Sequence, residues 1–229
     1  MEFIIIAITC ILMLAIFKNI FGYNVKKLKQ VTENEELDKI TKKYPDNIEL
    51  CKEYLKKLEN EKVKIEENKE AETSLYIALT DKIIIANVRN SFSRIQTIAH
   101  ECLHSIQNRK MLIFNFIYSN ICIIYFLAIT ILVILKILPD EMMFLVILIL
   151  LEMGYCTLRN FLENDAMIKA RYLAKEYMEE KQISSKEEIE KIVEGFDKIN
   201  DIGIKCVNYN LYFNSILKIL IFSLLCSIG

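Results

Sequence analysis

Apolar residues in this chain are gathered into blocks. Phe3 to Phe17 is an uninterrupted apolar run that continues past Lys18 to Tyr23, and Met111 to Leu138 is a longer one. Met142 to Leu158 forms a third run with a single charge, Glu152, and Leu211 to Ile228 a fourth that contains Lys218. Each is near the roughly 20 residues that a helix needs to cross the hydrocarbon core. The pattern predicts four transmembrane helices, the third being the shortest, with end-lying lysines reaching to the interface.

The blocks between are charged and periodic. Residues 31–43 and 48–60 read as two amphipathic helices parted by Tyr44-Pro45-Asp46, with Asp46 or Asn47 placed to cap the second. From Ser74 to Val88 the chain turns β-branched on either side of Thr80-Asp81, the signature of a short hairpin. A helix follows, with Ser91 or Ser93 as its cap, and no proline or glycine interrupts the chain before the second span. After the third span no strong breaker follows, so one helix should emerge past Glu163. Ser185 to Glu188 is a capping box that opens a further amphipathic helix to about Asn200.

Charge gives the runs a direction. Lys18, Lys26, Lys27 and Lys29 follow the first span, Arg109-Lys110 precedes the second, Arg159, Lys169 and Arg171 follow the third, and Lys205 precedes the fourth. The loop between spans two and three has acids and no base, so it is expected outside, with 24–110 and 159–210 facing the cytoplasm. Met1-Glu2 lacks a basic leader and no small-x-small site follows, so the first run is expected to be a retained anchor. The net charge of −1, with bases interleaved among acids, gives no sign of a nucleic-acid patch, and no nucleic-acid partner is expected. The seven cysteines have no C-x-x-C spacing and read as packing residues in a reducing setting.

The chemistry lies at His100-Glu101-Cys102-Leu103-His104, which contains the only two histidines of the chain. On a helix, positions i and i+4 stack, so both imidazoles reach one metal ion while Glu101 handles the proton of a water on it. Ile95, Ile98, Ala99, Cys102, Leu103 and Ile106 form the opposite, apolar stripe, which makes Cys102 a packing residue. A catalytic zinc takes three protein ligands, and without a third histidine the last must be a carboxylate. Glu163 is the first candidate, Asp165 the second and Glu152 the third. Residues 163 and 165 point about 200° apart on a helix and cannot both ligate one ion. Asp165 could instead orient a ligand histidine or pair with a base. The hairpin ahead of the histidine helix either offers its edge to an extended peptide or simply covers the helix.

These stretches, HECLHSIQ at His100 to Gln107 and ENDA at Glu163 to Ala166, resemble the YugP-type membrane zinc metallopeptidases. The pattern of that family is H-E-x-G-H-x-I-Q, a membrane hairpin, then E-x-D-A before a last span. The order of spans agrees along almost the whole chain. The resemblance implies one zinc per chain held by His100, His104 and Glu163, with Glu101 as general base. Leu103 departs from the usual glycine, which touches packing and removes no ligand. HtpX-type and CAAX-prenyl endopeptidases share the layout more distantly, since their E-x-x-A-D would need aspartate where this chain has Met167.

The expectation is therefore a predominantly α, multi-pass cell-membrane protein with a cytoplasm-facing zincin-like metallopeptidase domain that includes a short β-hairpin. Residues 1–23 form an anchor, 24–110 a cytoplasmic region with the hairpin and H-E-x-x-H helix, and 111–158 a transmembrane hairpin. Residues 159–210 form a helical region with the third ligand, and 211–229 a last membrane helix. The expected activity is hydrolysis of peptides or membrane proteins at the cytoplasmic face of the bilayer. The alternative is a non-catalytic adaptor or metal sensor that keeps the fold.

Overall fold

A computed structural model describes residues 1–22, 25–68, 70–71, 73–87 and 91–228. The expected first boundary at 23/24 and the end of the hairpin at Val88 lie outside the described residues. The elements in chain order are α1 (Glu2–Phe21), α2 (Val25–Thr32), α3 (Glu35–Thr41), α4 (Asn47–Lys57), β1 (Lys64–Glu67), β2 (Leu75–Ile77), β3 (Lys82–Ile85), α5 (Arg94–Ile106), α6 (Arg109–Ile134), α7 (Glu141–Lys181) and α8 (Lys186–Ile228). They fall into two compact units.

The first unit comprises Met1–Tyr23, Phe114–Phe161 and Lys205–Gly229. α1, α6, α7 and α8 are each long and apolar enough to cross a membrane, and only 11 % to 33 % of their apolar windows is buried within the protein. α1 ends at Gly22, whose φ of 55° is the left-handed turn that glycine adopts without a Cβ clash. Ile129, Val133, Leu145, Leu148 and Phe222 pack together inside this unit. Beside them is a polar cluster. Lys218 Nζ lies 2.7 Å from Glu152 Oε1, the Ser215 hydroxyl donates to Glu152 Oε2 at 2.6 Å, and Cys156 Sγ contacts Ser215 Oγ at 3.2 Å.

The second unit comprises Asn24–Ile113 and Leu162–Ile204. The helix expected over 31–43 is broken in the structure. One helix, α2, ends at Thr32, and Asn34 caps α3 by accepting from the backbone N–H of Glu36 and Leu37. Asp46 caps α4 through Glu49 N–H, one of the two caps foreseen. The hairpin forms as β2 against β3, antiparallel, with Leu75 opposite Ile84 and Ile77 opposite Lys82. β1 adds a strand the sequence pattern did not reveal, parallel to β3, so that β3 is central and β2 lies at an edge. Ile83 and Ile85 of β3 are fully buried and meet Leu50 and Tyr54 of α4 and Ile95 and Ile98 of α5 in one core.

Two contacts fix the start of α5. Phe92 stacks on Phe196 of α8 with centroids 6.1 Å apart, and a Cβ on Gly195 would come within 2.7 Å of the Phe92 ring. That close approach is why a helix-weakening glycine is tolerated there. Arg94, buried, donates to the carbonyls of Thr41 (2.8 Å), Tyr44 (3.0 Å) and Pro45 (2.8 Å) and to Asn47 Oδ1 (3.2 Å). It thereby closes the corner between α3 and α4, where the Thr41 carbonyl also accepts from the Tyr44 N–H at 3.2 Å.

The capping box at Ser185 and Glu188 forms reciprocally, as the spacing predicts. The helix it opens does not stop near Asn200 but runs on as α8 to Ile228. Nothing in that stretch breaks a helix, since it contains no proline and Gly203 is tolerated in place.

Candidate metal centre

α5 is buried on the predicted stripe, with Ile95, Ile98, Ala99 and Cys102 at no exposure and Leu103 nearly so. Ile106 departs from that expectation at 47 % exposed, because it is the last residue of the helix and lies past the core. Ser93 occupies the N-cap position without a side-chain cap bond. Ser91 Oγ accepts from the Ser93 N–H at 3.3 Å, and Asp38 accepts from Phe92 N–H at 2.6 Å. Cys102 contacts Cys51 Sγ at 3.6 Å, and burial pushes its thiol well up, as suits a packing residue.

On the other face His100 and His104 stack one turn apart, rings nearly perpendicular at 85°. Their Nε2 atoms are 3.0 Å apart, and Glu163 Oε2, from α7, lies 3.6 Å from the first and 3.8 Å from the second. A circle through three atoms so spaced has a radius of about 2.0 Å, close to the roughly 2.0 to 2.2 Å of zinc–nitrogen and zinc–oxygen bonds. Two imidazole nitrogens and a carboxylate oxygen are a donor set that suits a divalent transition metal. The three residues form a group that could hold a metal ion.

The other carboxylates considered from the sequence are engaged elsewhere. Asp165 binds Lys169 Nζ at 2.6 Å, one turn along α7, and accepts from Gln107 Nε2 at 3.1 Å. The Lys169 ammonium, ahead of the Gln107 bond, holds its carboxyl below the usual range despite some burial. Glu152 belongs to the first unit, where Lys218 and Ser215 take its oxygens.

Glu101 is 6 % exposed. Burial raises its pKa, offset in part by His100 and His104, reinforced by Glu163, and opposed again by a backbone hydrogen bond from Tyr76. Tyr76 is the middle residue of β2, so the edge strand touches the acid of the motif. At His104 burial pulls the pKa down, but the Glu163 carboxylate outweighs it and the net direction is up.

Gln107 was not given a role from the sequence. Its side-chain oxygen lies 2.8 Å from His104 Nδ1, and its amide nitrogen 3.0 Å from the Leu162 carbonyl oxygen. The histidine helix, which meets no proline or glycine before the second apolar run, also ends here. Gln107 is extended (φ −63°, ψ 161°), and Asn108 Oδ1 accepts from the N–H of Lys110 and Met111 to start α6. The extended Gln107 backbone and the Asn108 side chain thus make a break with neither proline nor glycine.

No family model matches this chain, and neither a curated protein nor a solved structure matches it. The resemblance to the YugP-type pattern therefore stands on His100 to Gln107 and Glu163 to Ala166, with the order of the apolar runs between and around them.

Proposed function

We propose that this chain is an integral-membrane zinc endopeptidase that cleaves peptides or membrane proteins at the cytoplasmic face of a cell membrane. The observation that carries the reading is the triangle of His100, His104 and Glu163 with the buried Glu101 between the two histidines on the same helix. One zinc per chain would be held by those three residues. When bound, zinc makes a water nucleophilic near neutral pH and polarises a carbonyl.

The protein's own part is proton traffic and placement. As the water oxygen bonds to the scissile carbon, Glu101 takes the water's proton, and as the C–N bond breaks it passes that proton to the leaving amine. Its burial, which raises its pKa, favours holding the proton between those two events. β2 is an edge strand adjoining Glu101, and an extended substrate can add to it by backbone hydrogen bonds. Placement in a bilayer is supported by four apolar helices whose surfaces are mostly unburied, and the cytoplasmic orientation by the basic residues at their ends.

The test is zinc content and proteolysis measured side by side on the detergent-purified full chain, with a quenched fluorescent peptide library as substrate. The expected result is about one zinc per chain in the wild type and in Glu101→Gln, with cleavage by the wild type alone. Zinc without cleavage in the wild type would favour the adaptor or sensor. Full zinc retention in a His100→Ala, His104→Ala variant would overturn the site.

A further inference from the structure

Gln107 faces three groups at once, and their chemistry fixes which way its amide points. The carbonyl oxygen of Leu162, at 3.0 Å, and Asp165 Oδ2, at 3.1 Å, are both near Gln107 Nε2. A backbone carbonyl and a carboxylate bound to Lys169 can only accept. The amide NH₂ must therefore face them, one hydrogen to each, which leaves Oε1 toward His104. An amide oxygen only accepts, so His104 Nδ1, 2.8 Å away, must carry a hydrogen. In the neutral ring the lone pair then sits on Nε2, the atom 3.0 Å from His100 Nε2 and 3.8 Å from Glu163 Oε2.

We propose that Gln107 is a positioning residue that locks His104 in the tautomer and ring orientation needed to ligate the metal, and that Asp165 acts on the centre through Gln107. The purpose of this lock rests on the zinc reading, but the lock itself is a property of the chain without metal. Gln107 ties the end of α5 to the stretch of α7 that carries Glu163, so the same side chain holds two ligand-bearing elements in register. The rival role is a helix cap. Gln107 also ends α5, but that cap is made by its backbone N–H to the carbonyls of Leu103 and His104, which any side chain would keep.

The test uses the full chain in detergent, labelled with nitrogen-15, at a pH where the imidazoles are neutral. Only two histidines contribute ring signals, and His100→Ala assigns them. The wild type without metal is expected to show His104 protonated at Nδ1, and a hydrogen at Nε2 instead would overturn the inference without any variant. Gln107→Leu, close in size but without polar atoms, is expected to populate both tautomers and to weaken zinc binding by about 10 to 100-fold. Asp165→Asn still offers Gln107 an oxygen, so it is expected to keep the wild-type tautomer. Were Gln107→Leu to change only the melting temperature, leaving tautomer and zinc affinity alone, Gln107 would be a cap and the proposal would fall. A wild type that binds no zinc yet shows the Nδ1 tautomer would remove the enzyme reading while leaving the lock in place.

Discussion

Lys218 Nζ lies 2.7 Å from Glu152 Oε1, joining the one charge of the third apolar run to the one charge of the fourth. Glu152 is 1 % exposed, so removing its partner strands a buried carboxylate. Lys218→Met is expected to destabilise the protein by about 3 to 5 kcal/mol, whereas Glu152→Leu with Lys218→Met should recover most of that loss. Thermal unfolding in detergent measures both. A double variant as unstable as the single would show that the two charges are not coupled. Zinc content should not change in either.

At the candidate metal centre, Glu163→Ala is expected to lose zinc and cleavage together, because on the proposed reading it removes a ligand. Glu101→Gln should lose cleavage alone. Asp165→Ala should weaken zinc affinity or activity by about 10 to 100-fold, as an outer residue does. Elemental analysis and proteolysis on the three variants check the order. Normal zinc and turnover in Glu163→Ala, with both lost in Asp165→Ala, would move the ligand.

Glu53 on α4 supplies a pH dependence away from the metal. Burial raises its pKa, but hydrogen bonds from Lys181 and Tyr177 of α7 outweigh it and the net direction is down. A carboxyl lowered in the folded state contributes stability above its unfolded pKa and loses it as pH falls through the folded value. The expected outcome is that acid lowers the melting temperature less steeply in Glu53→Gln than in the wild type. In Lys181→Met, where the carboxyl is no longer held so low, the contribution is smaller, so the acid decline should be shallower than in the wild type and complete at a higher pH. Melting curves between about pH 3 and 7 test this, and identical slopes in all three proteins would show that Glu53 is not coupled to folding.

The proposed orientation, argued from the basic residues at the span ends, has the loop at Asp140 outside and residues 24–110 inside. A reporter fused after Asp140 is therefore expected to be active only outside the cytoplasm, and one fused after Lys110 only within. The opposite pair of results would invert the orientation and put the metal centre outside.

Some of these features are written in the chain and some are not. The four apolar helices are legible because their runs are long and nearly free of charge. The paired histidines are legible because helical spacing alone puts them on one face. β1 escapes because Lys64-Ile-Glu-Glu67 has one apolar residue and a half-exposed, charged face, and becomes a strand by pairing with β3. α8 reads as two pieces because its pattern changes from one-sided to apolar all round, yet nothing in it breaks a helix. Gln107 has no local signature. Its meaning comes from Leu162 and Asp165, which lie 55 and 58 residues further along.

The buried guanidinium of Arg94 imposes an order on how the chain is finished. α3 and α4 leave the ribosome before residue 94 does. Until it arrives, the Thr41 carbonyl keeps the Tyr44 N–H, while those of Tyr44 and Pro45 have water in place of the guanidinium. Burying the Tyr44 and Pro45 carbonyls without a partner would cost about 1 to 3 kcal/mol each. The corner between α3 and α4 therefore stays wet during synthesis and closes only when the first residue of the histidine helix is delivered. A chain truncated just short of residue 94 should have the sequence for both helices but an open, protease-sensitive joint between them.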